Sequence, residues 1–213
     1  MGESSESATM PPMSDSLSTA AGKLVLLMGP SGVGKSVILK ELKLRHPDLH
    51  FPRSATTRAQ RVGEGTDLYR FVTDEEFDEL IAESKVLEWA VVHGGARYGT
   101  LIDEIIPHIE AGKIVVREVD VQGFESIRNH KFFFGAEAPY HLQSIFILPE
   151  NRDQLIDRIT KRAPISEDEL ERRIASMDDE LTYAELCDVQ IVNHDGGIEA
   201  TIAAVEKEVF GDG

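Results

Sequence analysis

The sequence predicts an α/β fold in which a mostly parallel sheet is covered by helices on both faces. Three observations predict it. Residues 24–28, 113–119 and 144–148 read as buried strands, 24–28 as an unbroken apolar run and 113–119 around Ile114, Val115, Val116 and Val119. Stretches with helix-start signals or helical periodicity alternate with those runs, the order that a parallel sheet requires. A chain of 213 residues, 41% of them hydrophobic, also has enough apolar surface for one substantial core with small inserts.

The elements follow in order. Residues 24–28 read as the first strand and 37–44 as the helix behind it. Residues 49–55 form a short strand, 56–67 a loop rich in Arg and Gly, and 68–72 another strand. Thr73-Asp74-Glu75-Glu76 is a capping box and opens a helix to about residue 83. Residues 86–92 are β-like, His93-Gly94-Gly95 is a turn, and 100–111 is expected to be helical until Gly112 stops it. After the strands at 113–119 and 144–148, residues 151–161 read as a helix. Pro164 ends that helix, because Ala163 before it is pushed away from helical geometry. Ser166-Glu167-Asp168-Glu169 is a second capping box, and its helix carries the stripe Leu170, Ile174, Met177 and Leu181. A strand at 189–192 and a helix from about residue 197 close the domain, which spans 23–213. Within it, residues 53–100 are richer in β signals and read as an insert. Residues 1–22, rich in Ser, Thr and Pro, read as a disordered tail or expression remnant, with Met10 and Met13 as alternative starts.

Composition excludes several classes. A net charge of −16 argues against a nucleic-acid binder, so any anion site must be built locally from aimed Arg and Lys side chains. A single cysteine, Cys187, rules out an intramolecular disulfide framework and suits a reducing compartment; it reads as a small core residue. No run reaches the ~18 apolar residues of a membrane span, and residues 1–22 lack a signal peptide's apolar centre. The expectation is a cytoplasmic protein without membrane or nucleic-acid partners, a monomer or homodimer. The seven histidines show no ligand spacing, and His93 reads as structural.

The chemistry begins at Gly29-Pro30-Ser31-Gly32-Val33-Gly34-Lys35-Ser36, which fits G-x-x-x-x-G-K-[ST] between a strand and a helix. Such a loop curls around a polyphosphate. Its N–H groups and the helix N-terminus face the anion, Lys35 reaches the β/γ-phosphates, and Ser36 can ligate Mg²⁺. This is a nucleoside triphosphate site. Two further basic groups stand out. Arg58 and Arg61 lie three apart in a Gly-bearing loop, either a bidentate phosphate grip or a solvated basic loop. Arg158 and Arg162 lie four apart on one helical face with no acid at i±4, a mild repulsion that an anion between them would reverse.

Taken with the loop, Ser54-x-x-Thr57-Arg58-x-x-Arg61-x-Gly63-Glu64, Tyr69, Glu88-Trp89-Ala90, Arg97-Tyr98-Gly99-Thr100 and Val119-Asp120-Val121-Gln122-Gly123 resemble the guanylate kinase family, in order, over residues 23–210. The resemblance implies a P-loop NTPase three-layer α/β/α core, a small β-rich GMP-binding insert at 53–100 and a helical lid at 151–183. It implies that ATP phosphorylates GMP, with dGMP as a related acceptor. Arg58, Arg61, Tyr69 and Tyr98 would hold the GMP phosphate, and Ser54, Glu88, Thr100 and Asp120 would read guanine. A rival role for Asp120 is in the outer coordination sphere of Mg²⁺. Lys35, Arg58, Arg158, Arg162 and Arg173 would carry catalysis, with Arg158 and Arg162 closing over ATP and Arg173 also meeting GMP. Mg²⁺ would be held by Ser36 directly and by Glu118 through water. The base chemistry agrees: one carboxylate accepts from both N1–H and the 2-amino group of guanine, whereas adenine would turn a lone pair toward Glu88. Two positions depart from the family: Ala163-Pro164 follows the second lid arginine where Gly is usual, and Glu118 replaces an Asp. Two other functions share this fold: a protein-binding module without catalysis, and a kinase for another acceptor such as ribose bisphosphate. Residues 129–140, with Phe132-Phe133-Phe134, read as a hydrophobic anchor or a dimer contact.

Overall fold

The computed structural model describes residues 22–92, 94–162 and 166–211, with backbone only at 161 and 162. Four parallel strands form the core sheet: β1 (Lys23–Met28), β6 (Ile114–Glu118), β7 (His141–Pro149) and β8 (Val189–Asn193), in the order β6-β1-β7-β8. From Leu24 to Met28 every side chain is essentially inaccessible, because β1 is central and covered on both faces. Alternate residues point to opposite faces. Leu24, Leu26 and Met28 therefore pack with Ile106 of α3 (Ile106–Glu110) and Phe124 and Ile127 of α4 (Val121–Arg128). Val25 and Leu27 pack with Ile38 and Leu42 of α1 (Lys35–Arg45) and Ile202 and Val205 of α7 (Ile198–Phe210). The result is the three-layer α/β/α arrangement expected.

A second sheet stands apart from this core. Its strands are β2 (Ser54–Thr56), β3 (Tyr69–Phe71), β4 (Val86–Val91) and β5 (Arg97–Leu101), ordered β3-β2-β5-β4. β2 and β3 are parallel; β5 runs antiparallel to both β2 and β4. Helix α2 (Asp74–Ala82) covers it and contributes Phe77 and Leu80 to a small core with Ala55 and Leu101. The Thr73 capping box forms as expected: Glu76 N–H donates to the Thr73 hydroxyl at 3.1 Å, and Thr73 N–H donates to Glu76 at 2.8 Å. Beyond β7 come α5 (Arg152–Arg162) and α6 (Glu167–Thr182), joined by a salt bridge from Arg152 to Asp178 at 2.8 Å.

Four expectations are corrected. Residues 100–111 are not one helix: Thr100 and Leu101 end β5, and α3 starts only at Ile106, where Pro107 suits the first turn. The strand expected at 49–55 reduces to a bridge between His50 and Val115 and the three residues of β2, with Pro52 between them. Helix α4 was not anticipated; Asp120 caps it by accepting from Gly123 N–H at 2.8 Å. The second capping box is half formed. Ser166 accepts from Glu169 N–H, but the Glu169 carboxylate is taken by Arg172 and Arg173. The stop at Ala163-Pro164 and the His93 end of the turn lie outside the described residues. Residues 129–140 act as the hydrophobic anchor: Phe133 is buried in the α3/α4-side core and Tyr140 packs edge-on to Phe132, with ring centroids 5.7 Å apart.

The small second core rests heavily on Phe77, which is fully buried and lies 6.2 Å from Trp89, the only tryptophan. Phe77→Ala should lower unfolding stability by about 3–5 kcal/mol through lost burial and the cavity left behind. Urea unfolding followed by Trp89 fluorescence and by far-ultraviolet circular dichroism checks this; a midpoint unchanged from wild type would contradict it.

Candidate active site

The 29–36 loop is shaped by its glycines and by two buried polar side chains. Gly29 has φ +138°, and a Cβ there would come within 2.5 Å of the Ile147 carbonyl oxygen. Gly34 has φ +113°, and a Cβ there would meet Asn193 Nδ2 at 2.9 Å. Only glycine fits such positions. Asn193, at the end of β8, donates from Nδ2 to the Val33 carbonyl at 2.7 Å and accepts from the Thr201 hydroxyl at 3.0 Å. The loop is thus tied from beneath by β8 and α7. Helix α1 then starts with no side-chain cap and no acid in its first turn, so its leading N–H groups remain open to an anion. Lys35 Nζ lies 2.5 Å from the Gly29 carbonyl oxygen, 3.2 Å from that of Pro30 and 3.6 Å from Glu118. Ser36 and Glu118 line one cavity of about 510 Å³ together with Ser54, Tyr69 and Arg117.

Across that cavity the second sheet brings three predicted residues into one row. Its register sets Ser54 opposite Thr100 and Thr100 opposite Glu88. The buried Thr100 hydroxyl donates to Glu88 Oε1. Asp120 borders a smaller adjoining cavity of about 170 Å³ with Glu88, Tyr98 and Gly123. Glu118, which lies 3.6 Å from Lys35, lines this cavity as well as the larger one.

Arg58, Tyr69 and Tyr98 also converge. Arg58 Nε donates to Tyr98 Oη at 3.0 Å, and its guanidinium carbon stands 5.4 Å from the Tyr69 ring centroid. Its fork closes on Glu64 in two hydrogen bonds of 2.7 and 3.0 Å. Arg61 N–H also donates to Glu64, at 3.0 Å, while the Arg61 side chain is exposed. Arg58 foremost, with the Arg61 N–H behind it, holds the Glu64 carboxyl down to about 2.

Arg158 and Arg173 are paired with acids. Arg158 is not unrelieved: Asp195, from the turn after β8, lies 3.4 Å away. Arg173 pairs with Glu169 on its own helix at 3.0 Å. The Arg162 side chain lies outside the described residues. Cys187 is half buried and its thiol is pushed up to about 11 by that burial, in keeping with an inert packing residue.

Four contributors were missed. Arg117 donates from Nη2 to Ser54 Oγ at 3.1 Å and lies 3.6 Å from Glu88 Oε1. Its signal was available: a charge inside an apolar strand that the fold buries on both sides. Glu64 was visible only as part of a motif, without a role. Asn193 and Thr201 had no local signal.

A family model described as guanylate kinase matches residues 21–210. The chain belongs to the guanylate kinase family. The guanylate kinase of Trichormus variabilis is 40% identical over 193 residues, covering 90% of this chain and 92% of that one. That of Streptomyces kasugaensis is 39% identical over 175 residues, covering 82% and 81%. The crystal structure of guanylate kinase from Anaplasma phagocytophilum superposes with a TM-score of 0.62 at 25% identity, covering 89% of this chain and 85% of that one. Among the described residues of this guanylate kinase family member, no helix is long and apolar enough to cross a membrane.

The Arg58–Glu64 pair sets a pH expectation. Because the folded carboxyl is depressed, its stabilising contribution is complete above the ordinary carboxylate range and is lost as pH falls through about 2. Carboxyl-carbon NMR should place the Glu64 midpoint near 2, and Arg58→Ala should move it upward. A wild-type midpoint near the usual 4.5 would contradict the pairing.

Proposed function

We propose that this chain transfers the γ-phosphoryl group of ATP to GMP, giving ADP and GDP, with ATP on the 29–36 loop and GMP against the second sheet. One observation carries the proposal: Ser54, in one row with Thr100 and Glu88, and Tyr69, beside Arg58 and Tyr98, line a cavity together with Ser36 of the phosphate loop. Glu88 supplies a carboxylate for N1–H and the 2-amino group, and Arg58, Arg61, Tyr69 and Tyr98 supply donors for the 5′-phosphate.

The acceptor oxygen is already anionic near neutral pH, so the site needs no general base. The work of the protein is to align two polyanions and to neutralise charge on the group in flight. Lys35, now on the Gly29 and Pro30 carbonyls, would leave them for the β- and γ-phosphates. Arg158 and Arg173 now rest on the exposed carboxylates of Asp195 and Glu169, partners that a triphosphate can outcompete. Arg162, on the same helix as Arg158, would join them. Closure of α5 and α6 over the cavity would exclude water from the transfer.

The residues present fit a Mg²⁺ ion. Ser36 offers an exposed hydroxyl, and Glu118 a carboxylate on the same cavity wall. An ion of this kind is held by one or two protein oxygens together with substrate phosphates and water. Such an ion supplies charge neutralisation at the phosphates. Asp120, engaged as the α4 cap beside Glu88, belongs with guanine recognition.

Glu88→Gln tests the acceptor site directly. The amide replaces one acceptor oxygen with a donor that opposes the N–H groups of guanine. kcat/KM for GMP should fall about 10- to 100-fold, as for losing a charge-assisted hydrogen bond, with AMP turnover no lower than in wild type. Equal losses for GMP and AMP would remove Glu88 from base recognition.

A further inference from the structure

Arg117 has more hydrogen-bonding capacity than its surroundings use. It sits on β6 after Val115 and Val116, both buried, and its side chain is only 12% exposed. A buried guanidinium is costly unless its donors are met. Nη2 is met by Ser54 Oγ and approaches Glu88, yet Nε is buried with no partner. Tyr69 and Asp120 also lie close enough to act on it electrostatically. Arg117 borders both cavities, the one beside Ser36 and helix α1 and the smaller one beside Glu88. A donor-rich cation in that junction calls for an acceptor from a ligand.

We propose that Arg117 is a specificity residue that touches the base, donating to the 6-oxo group of guanine alongside Glu88. The inference rests on the GMP site proposed above and deepens it. The Watson–Crick edge of guanine runs acceptor, donor, donor: O6, N1–H, then the 2-amino group. Arg117 and Glu88 together present the matching donor, acceptor, acceptor. Adenine carries an amino group at C6 and a lone pair at N1, so it meets a donor with a donor and a carboxylate with a lone pair. Rejection of AMP is thereby built in twice.

The test compares GMP, 6-thio-GMP and IMP as acceptors for wild type, Arg117→Met and Arg117→Lys. 6-Thio-GMP keeps N1–H and the 2-amino group but offers a weak sulfur acceptor; IMP keeps the 6-oxo group but lacks the 2-amino group. Arg117→Met should lower kcat/KM for GMP about 10- to 100-fold, with a much smaller loss for 6-thio-GMP, so that the ratio of the two moves toward one. Arg117→Lys, which keeps a cationic donor without the fork, should hold an intermediate ratio. Far-ultraviolet circular dichroism and Trp89 fluorescence report folding, and if the Met variant does not fold, an unchanged ratio in the Lys variant overturns the proposal. Equal losses for GMP and 6-thio-GMP with IMP spared would mean that Arg117 acts only by holding Glu88, and would also overturn it. The underlying reading fails separately: a wild type that uses AMP as well as GMP removes guanine recognition itself.

Discussion

The structure depends on forcing a short backbone loop into a shape that ordinary residues cannot adopt and fixing it there. Gly29 and Gly34 take left-handed conformations with no room for a side chain. The apolar layers above and below cannot satisfy the loop's polar groups, so Asn193 is buried to do so, with Thr201 satisfying Asn193 in turn. A buried amide left half satisfied would cost more than it contributes. The pair therefore commits β8 and α7 to positions beside the loop. The same commitment sets the order of the core sheet, since β8 reaches the loop only at the edge next to β7.

The second sheet solves a different problem. The antiparallel pairing of β2, β5 and β4 places Ser54, Thr100 and Glu88 side by side, in the fixed register that the proposed reading of a base requires. The core contributes the floor through β6, which carries Arg117 and Glu118 to the junction of the two cavities. Arg53 and Glu104 clamp the two chain segments that leave and re-enter the core, with Arg53 Nε donating to the Glu104 carboxylate at 2.9 Å. The second sheet and the core are joined by these polar contacts and also by Leu87 of β4, which is buried in the core with Val119 and Phe124.

How much was legible in the sequence follows from the range of the interactions involved. Strands β1, β6 and β7 were legible because burial on both faces leaves clusters of adjacent apolar residues, unbroken in β1 and Ile114 to Val116 in β6, and α2 because its capping box is local. Residues 100–111 misled because their apolar residues repeat at helical spacing, while what makes Thr100 a strand residue is its pairing with Ser54 and Glu88. Helix α4 escaped because it is only eight residues long and contains Gly123. At the site, the motif residues Lys35, Arg58, Glu88 and Tyr98 were legible through a family pattern. Arg117 and Asn193 act on partners 63 and 160 residues away, and no local pattern encodes such contacts. Arg158, Arg162 and Arg173 were legible as a basic group, but the pairing of Arg158 with Asp195 and of Arg173 with Glu169 was not.

The central claim is that the fixed phosphate loop and the guanine-reading row form one phosphoryl-transfer site. Coupled measurement of ADP release from MgATP, with GMP against AMP, for wild type and Lys35→Ala, tests it most directly. The account predicts GMP-dependent turnover in the wild type, little with AMP, and loss of turnover without the Lys35 ammonium. Turnover that ignores the acceptor base, or that survives Lys35→Ala undiminished, would contradict it.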